Sequence, residues 1–375
     1  MKNIGIFIKD IGLLGGVQKV TNNLTWLFFE NNLPIKCIVT YSNTKYTSYE
    51  YPKETKIYNI NGVIEEISAI IAKENISNFI IQAEDLKLSD KVADKATING
   101  CKVFIVLHNS PFYWIKKYYT KSQYLRNPRY ILQLLKMKFY WRQLHLNIFK
   151  RWQEKYDLIL LTDKCKHELS ELQEQETEKD RNLLTIANPH DNNPTKNINE
   201  KQNWIVYAGR LSQDKRGLFM LNIWSQVEPD FPDWHFYILG AGTDFDKMQH
   251  YIKRHDLKRV FLKGKVDNVN EYLASSKICI LLSKYEGLPT ILIEASQNSN
   301  ALLCTNSDGG VADIVKNGIN GYTVNAHKKE IVSKLKTLMD NNGERALKLG
   351  EHSFSLVNHN FNNSDILNKW KTILQ

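Results

Sequence analysis

Short apolar runs recur along the chain at intervals that leave room for one helix between neighbours. Residues 3–8, 36–41, 56–60, 78–82 and 103–107 are rich in Ile, Val and Phe. They are too short for stable helices, and they are nearly continuous in apolar character, as strands buried on both faces are. Stretches with apolar residues at helical spacing lie between them, from the glycines near residue 15 through residue 30, over 63–73 and over 86–96. The pattern continues with a strand-like run at 156–161 and a helical stretch at 164–175, then with runs at 204–208, 234–239, 260–266, 278–282, 301–305 and 321–324. Such alternation predicts an α/β protein built on parallel sheets with helices on their faces. In the tail, Ile366, Leu367, Trp370, Ile373 and Leu374 share one face of a helix. Asn, Asp, Pro and Lys crowd residues 191–202, which has the composition of a linker. With 375 residues, two domains are expected. Their predicted bounds are 1–190 and 203–355, with 356–375 as a closing helix.

Composition narrows the class. An apolar fraction of 42% is ample for two cores. No apolar run reaches membrane-spanning length. The first ten residues meet Lys2, Lys9 and Asp10 too soon for a secretory signal, and suit a first strand instead. Cys37, Cys101, Cys165, Cys279 and Cys304 are scattered without a C-x-x-C pair, which points to buried thiols in a reducing cytoplasm. The net charge of +10 calls for an acidic partner: nucleotide phosphates, anionic lipid or nucleic acid. Much of it gathers in 112–153, which holds ten Lys or Arg, no Asp or Glu, and twelve aromatic residues. Trp114, Tyr118, Tyr119, Tyr140, Trp141 and Trp152 are types that favour the lipid headgroup zone. An anionic membrane surface is therefore the expected partner of this segment. The bland alternative is a solvated helical hairpin with a core of aromatics.

The chemistry concentrates after the run 278–282. There Glu286-Gly287-Leu288-Pro289-Thr290 leads toward Glu294-Ala295. Pro289 fits the first turn of a helix, since its missing N–H would be unpaired there anyway. A helix N-terminus offers backbone N–H groups and the positive end of a dipole, which suits a phosphate. Carboxylates suit vicinal hydroxyls, so Glu286 and Glu294 could flank an anion with two hydroxyl-binding groups. Equally, Glu286 could be a capping acid and Glu294 a solvated face residue. Arg210, at the end of the run 204–208, and Lys215 form a fork and a mobile charge able to clamp a diphosphate. Gly15-Gly16 lies in a glycine-rich turn between strand and helix. It is neither G-x-G-x-x-G nor a P-loop. Gly240-Ala241-Gly242 lacks the third glycine of a dinucleotide site and is expected to be a close turn. His108 follows the run 103–107, at the strand end where ligands of such sheets bind.

The stretch from Glu286 to Glu294 resembles the E-x7-E signature of retaining glycosyltransferases of the GT-B fold, family four (glycosyl transferases group 1). The segments at Gly209-Arg210-Leu211 with Lys215, at Gly15-Gly16 and at His108 are similar to further motifs of that family. The resemblance implies two Rossmann-like domains with parallel sheets facing each other across a cleft, and a C-terminal helix crossing back to the first domain. It also implies that Glu286 meets the donor sugar and Glu294 the ribose hydroxyls. Arg210 and Lys215 would hold the donor diphosphate, with Gly287, Leu288, Pro289 and Thr290 at the helix end. Lys265 and Val266 would face the nucleobase. Gly15 and Gly16 would face the donor phosphates, and His108 would lie over the donor sugar. Two departures stand out: Gln18-Lys19 replaces an acidic-basic pair, and Arg216 takes a place often held by Gly. The implied reaction moves a sugar, from a UDP-sugar, to a hydroxyl of a bacterial surface glycan, lipopolysaccharide or lipid-linked oligosaccharide. It would proceed with retention and without metal or other cofactor. The implied setting is the cytoplasm, with contact to the inner face of the cell membrane and no nucleic acid partner. Two rivals are a nucleotide-sugar 2-epimerase of related fold and a non-catalytic basic binding protein.

Overall fold

The structure is a computed structural model that describes residues 2–13, 15–42, 47, 49–116, 128–174, 182–191, 198–307 and 309–375, with side chains in 115–138 and at 199 left aside. The chain forms two compact units, one of Met1–Pro189 with Asn363–Gln375 and the other of His190–Asn362.

In unit 1, strands β1 (Asn3–Ile8), β2 (Ile35–Thr40), β3 (Lys56–Asn59), β4 (Ile76–Ala83), β5 (Lys102–Leu107), β6 (Asp157–Leu160) and β7 (Leu183–Thr185) make one sheet. Its order is β3-β2-β1-β4-β5-β6-β7, with every pair parallel. The order reverses between β1 and β4, which is the topological switch point of a doubly wound sheet. Helices α1 (Gly16–Glu30), α2 (Glu66–Glu74), α3 (Leu86–Ile98), α4 (Pro111–Lys116), α5 (Pro128–Lys155) and α6 (Asp163–Gln173) connect the strands. β4 has no alternation because every position but one is fully buried, as expected of a strand covered on both faces. Side-chain caps start two of the helices. Asp85 accepts from the Leu88 N–H at 3.1 Å to open α3, and Thr162 accepts from the Cys165 N–H at 3.2 Å to open α6.

Unit 2 repeats the plan. Strands β8 (Gln202–Ala208), β9 (His235–Leu239), β10 (Val260–Gly264), β11 (Ser276–Leu281), β12 (Ala301–Thr305) and β13 (Gly321–Val324) lie in the order β10-β9-β8-β11-β12-β13, all parallel. The helices are α7 (Gly217–Trp224), α8 (Phe245–Arg254), α9 (Val269–Ser275), α10 (Thr290–Gln297), α11 (Val311–Ile314) and α12 (Lys328–Asn360). α12 went unmarked in the sequence. It breaks at Asp340–Gly343, where Asn341, Asn342 and Gly343 have φ of 49°, 55° and 77°. His190 hydrogen-bonds the Phe361 carbonyl and, at 2.8 Å, the Gln297 amide. The two points where the chain leaves unit 2 are thereby tied side by side.

The last helix, α13 (Asn363–Leu374), packs into unit 1. Its return starts at Asn363 rather than 356, because α12 runs on to Asn360. Trp370 is buried edge-on against Phe28 of α1 and Phe104 of β5, at centroid distances of 5.6 and 6.3 Å. Asn78 donates to the Leu374 carbonyl at 2.8 Å.

Part of segment 112–153 is internal. Trp114 and Trp152 are 5% and 0% exposed and belong to the core of unit 1. Arg151 bridges Asp90 and Asp94 of α3, and the Trp152 indole donates to Asp90 at 2.9 Å. Opposite charge for Arg151 is thus supplied by α3. Trp141 sits partly exposed with the Lys87 ammonium 4.8 Å from its ring centre. Phe139 and Tyr140 do stand out, at 68% and 60% exposure. Lys117, Tyr118, Tyr119, Lys121 and Arg126 lie outside the described residues. All five cysteines are buried and free, and burial pushes the thiols of Cys37 and Cys279 up to about 12. No helix among the described residues is long and apolar enough to cross a membrane.

Candidate functional site

In unit 2 the candidate residues gather at the carboxyl ends of the strands. β11 runs out at Leu281, and α10 begins at Thr290 with no side chain capping it. Pro289 is the residue before the helix, with φ −72° and ψ 100°, rather than part of its first turn. Its carbonyl accepts the Leu292 N–H at 3.0 Å. The first N–H groups of a helix have no intrahelical partner, so this uncapped end, beside the buried Gly287 and Leu288, can receive an anion. Glu286 and Glu294 are both nearly buried, at 9% and 8% exposure. Glu294 stands in the second turn of α10.

The turn after β8 is fastened to this stretch. The Lys215 ammonium lies 2.6 Å from Glu286 Oε1, with both side chains largely buried. The Lys284 N–H donates to the Asp214 carbonyl at 2.8 Å. Arg210 is held loosely, 3.7 Å from the Asp214 carboxylate, and its side chain is 68% exposed. The Tyr207 hydroxyl donates to the Arg210 carbonyl at 3.0 Å. Burial, then the negative charges of Glu286 and Asp214, push that phenol well above its usual range. Arg216 takes a left-handed φ of 57° just before α7, a conformation in which glycine is unstrained.

Two glycines are required by close approach. Gly309 has φ +85°, and a Cβ there would stand 1.9 Å from the Glu286 carbonyl oxygen. Its neighbour Gly310 donates its N–H to the Gly287 carbonyl. Gly240 has φ +135°, and a Cβ would meet the Gly209 carbonyl oxygen at 1.9 Å. The Gly240 N–H reaches the Gly264 carbonyl at 2.6 Å. The turns after β8, β9 and β10 therefore interlock through their backbones. Lys265 is exposed and Val266 half-buried just past β10. Two cations, an uncapped helix end and a paired carboxylate thus surround one region of unit 2, an arrangement suited to an anion bearing hydroxyl groups.

Gly15, Gly16 and His108 belong to unit 1. Gly15 precedes α1 in extended conformation, and a Cβ there would stand 2.6 Å from Gln18 Oε1, whereas Gly16 faces open space. Gln18 is an internal tie: its amide donates to the Asp10 carbonyl at 2.8 Å and to Glu84 Oε1 at 3.2 Å. His108 is buried against Gln82, and burial lowers its pKa to about 3. Ser110, two residues on, donates to the buried Glu168 of α6 and anchors the same loop. Gln82, Glu84, Glu168 and Asp214 were not foreseen. For the first two a signal existed. The apolar stretch Phe79-Ile80-Ile81 gives way to polar Gln82 and Glu84, which share one side of a central strand at its carboxyl end.

Residues 190–354 match the family described as glycosyl transferases group 1. An uncharacterised glycosyltransferase of Haemophilus influenzae is 24% identical over 383 residues, covering 100% of both chains. The amylovoran biosynthesis glycosyltransferase AmsD of Erwinia amylovora is 30% identical over 132 residues, 35% of this chain and 36% of that one. Among solved structures, a Staphylococcus aureus TarM variant in complex with fondaparinux, α-GlcNAc-glycerol and UDP superposes with a TM-score of 0.77 at 15% identity, covering 99% of each chain. Anabaena HepE in complex with UDP-glucose gives 0.77 at 12% identity, covering 100% of this chain and 99% of that one. Fold and matches together define a glycosyltransferase of the GT-B class. The match to glycosyl transferases group 1 lies in the second unit.

The burial of His108 has a consequence for stability. The folded chain keeps this imidazole neutral down to about pH 3, whereas an unfolded chain protonates it near about 6.5. Between those values the unfolded state binds the extra proton, so this contribution to stability is lost as pH falls through the window. In His108→Gln the acid sensitivity of the unfolding free energy should be shallower by up to about 1.4 kcal/mol per pH unit. Urea titrations of both proteins from about pH 7 to 5 measure the slopes; parallel slopes would refute the assignment.

Proposed function

We propose that this glycosyltransferase moves a sugar from a UDP-sugar to a hydroxyl of a bacterial surface glycan or lipid-linked oligosaccharide, with retention of the anomeric configuration. The observation that carries this is the Lys215–Glu286 pair beside the uncapped end of α10, with Arg210 adjacent. On departure, a nucleoside diphosphate develops negative charge. Arg210, Lys215 and the N–H groups of Gly287, Leu288 and Thr290 are the groups that would offset it. Glu286 would hold the donor sugar through its hydroxyls while keeping Lys215 in position. Glu294 would take the ribose hydroxyls, with Lys265 and Val266 next to the base. The donor-facing roles of Gly15, Gly16 and His108 complete the proposal. His108 would act as a neutral hydrogen-bonding group, consistent with its burial. In a retaining reaction the acceptor hydroxyl attacks from the leaving-group side, and a donor phosphate oxygen takes its proton.

Support for the donor comes from the UDP in the TarM complex and the UDP-glucose in the HepE complex. Support for the acceptor class comes from relatives named for amylovoran biosynthesis and for poly(ribitol-phosphate) α-N-acetylglucosaminyl transfer. Unit 1 would take the acceptor. Its membrane contact would run through α5, where Phe139 and Tyr140 are exposed among basic residues. Aromatic and basic side chains together favour an anionic headgroup zone. The enzyme would then work as a peripheral protein on the inner face of the cell membrane.

Three measurements bear on this. Glu294→Ala should weaken UDP binding, and Glu286→Ala should mainly slow turnover, each by about ten- to hundredfold, since a hydrogen bond to a charged group contributes about 1.5–3 kcal/mol. Calorimetric UDP affinity unchanged in Glu294→Ala would remove the ribose assignment. Transfer should continue in the presence of a chelator, because side-chain cations and the helix end supply the counter-charge; activity abolished by chelator and restored by magnesium or manganese would contradict that. Wild-type protein should cosediment with anionic vesicles, and Phe139→Ser with Tyr140→Ser should reduce the bound fraction. No wild-type binding at low salt would end the membrane reading.

A further inference from the structure

Gln82 and His108 meet at the carboxyl end of the unit 1 sheet. Gln82 of β4 stands opposite Val106 of β5, and Ala83 opposite Leu107. His108 lies two residues beyond Val106, and side chains two apart along a strand share a face. The carboxamide and the imidazole therefore lean toward each other across the ladder. They touch through Gln82 Oε1 and His108 Nε2, in residues only 1% and 8% exposed.

The chemistry of this contact is one-sided. A carboxamide oxygen only accepts, so Nε2 donates and carries the ring's proton. Burial lowers this imidazole to about 3, and no charged group contributes to that shift among the described residues. The ring is then neutral at ordinary pH, and Nδ1 is left with a lone pair. On the same loop the Ser110 hydroxyl is committed to the Glu168 carboxylate. Gln82 is a neutral partner at a place where a carboxylate would draw a second proton onto the ring. Its own amide nitrogen is buried and makes no hydrogen bond among the described residues. An unmade bond at a buried donor is costly, and a side chain that only filled this space would be better apolar. What the amide adds is its oxygen.

We propose that Gln82 is a positioning residue: it holds the His108 imidazole as the Nε2–H tautomer, with Nδ1 presented as an acceptor to a hydroxyl of the donor sugar. The inference rests on the donor-facing role proposed for His108, and it gives that role a direction. The ring takes a hydrogen bond from the sugar and has no proton to give it, so it orients the donor without serving as an acid. Gln82, almost fully buried, acts through the ring and needs no contact with the substrate.

Long-range proton–nitrogen correlation spectra of the full chain carrying nitrogen-labelled histidine read the tautomer directly, and the signals missing in His108→Gln identify the ring. Wild-type protein should show Nε2 protonated and Nδ1 bare at neutral pH. Gln82→Met keeps the length of the side chain and removes the acceptor, so it should turn the ring into a mixture of tautomers. Gln82→Glu supplies an acceptor again and should keep the Nε2–H form, while its charge moves the uptake of a second proton up by about one to three pH units. In calorimetry, Gln82→Met should weaken whichever of UDP-glucose, UDP-galactose and UDP-N-acetylglucosamine wild type binds best by about two- to tenfold, the span of a neutral hydrogen bond, and leave UDP affinity unchanged. A packing role for Gln82 would move neither the tautomer nor the ratio of the two affinities. The inference is overturned if wild type carries the proton on Nδ1 or populates both forms, if Gln82→Met keeps the wild-type spectrum, or if it weakens UDP as much as the UDP-sugar. If Gln82→Met does not fold, wild type and Gln82→Glu decide, and a proton on Nδ1 in either overturns the inference. Failure of the donor reading would look different: neither UDP nor any of the UDP-sugars would bind, while the ring kept its Nε2 proton.

Discussion

The ion pair between Lys215 and Glu286 is the constraint on which unit 2 is arranged. Its two side chains are only 19% and 10% exposed. Burying a pair of charges gains little net stability, because desolvation offsets most of the attraction. Removing either partner, however, would strand the other in a poor solvent. The surrounding backbone is built to keep both in register. Asp214 receives the Lys284 N–H, and Gly309 lies flat against the Glu286 carbonyl. The pair is better understood as a poised charge than as a brace. Under the proposed function, a bound diphosphate would share the ammonium without any charge having to enter the interior at that moment.

The two units share a plan and differ in what they make of it. Both are all-parallel sheets that reverse at the first strand. In unit 2 the loops past the strands carry Arg210, Lys215 and an uncapped helix end. In unit 1 the same positions carry Asp10, Glu84 and a neutral imidazole. Identical topology therefore presents a cationic corner in one unit and an acidic one in the other.

Most of the fold could be read from the chain because strands buried on both faces write themselves as apolar runs, and nearly every run became a strand. α12 could not, because its break at Asp340–Gly343 interrupts the helical period and its apolar face is spread over two segments. Glu286 and Lys215 were legible as a motif, and the structure brings them into direct contact. Gln82 and Glu84 were passed over because polar residues closing an apolar run read as its boundary, and the three-dimensional neighbours His108 and Gln18 show what they hold. In segment 112–153 the partners of Arg151 were hidden for a related reason. Charge counted along a helix says nothing about the acids a neighbouring helix supplies, and Asp90 and Asp94 lie on α3.

The return of α13 to unit 1 sets an order on biosynthesis. Domains usually fold as they leave the ribosome, the N-terminal one first. Here the face of unit 1 formed by Phe28 and Phe104 waits for Trp370, and Asn78 waits for the Leu374 carbonyl. The whole of unit 2 is translated in between. At about 5–20 residues per second that delay is on the order of ten seconds or more. The domain begun first is thus completed last, and for that interval the nascent chain carries an uncovered apolar stripe. Loss of α13 would leave the second unit attached to an unfinished first one.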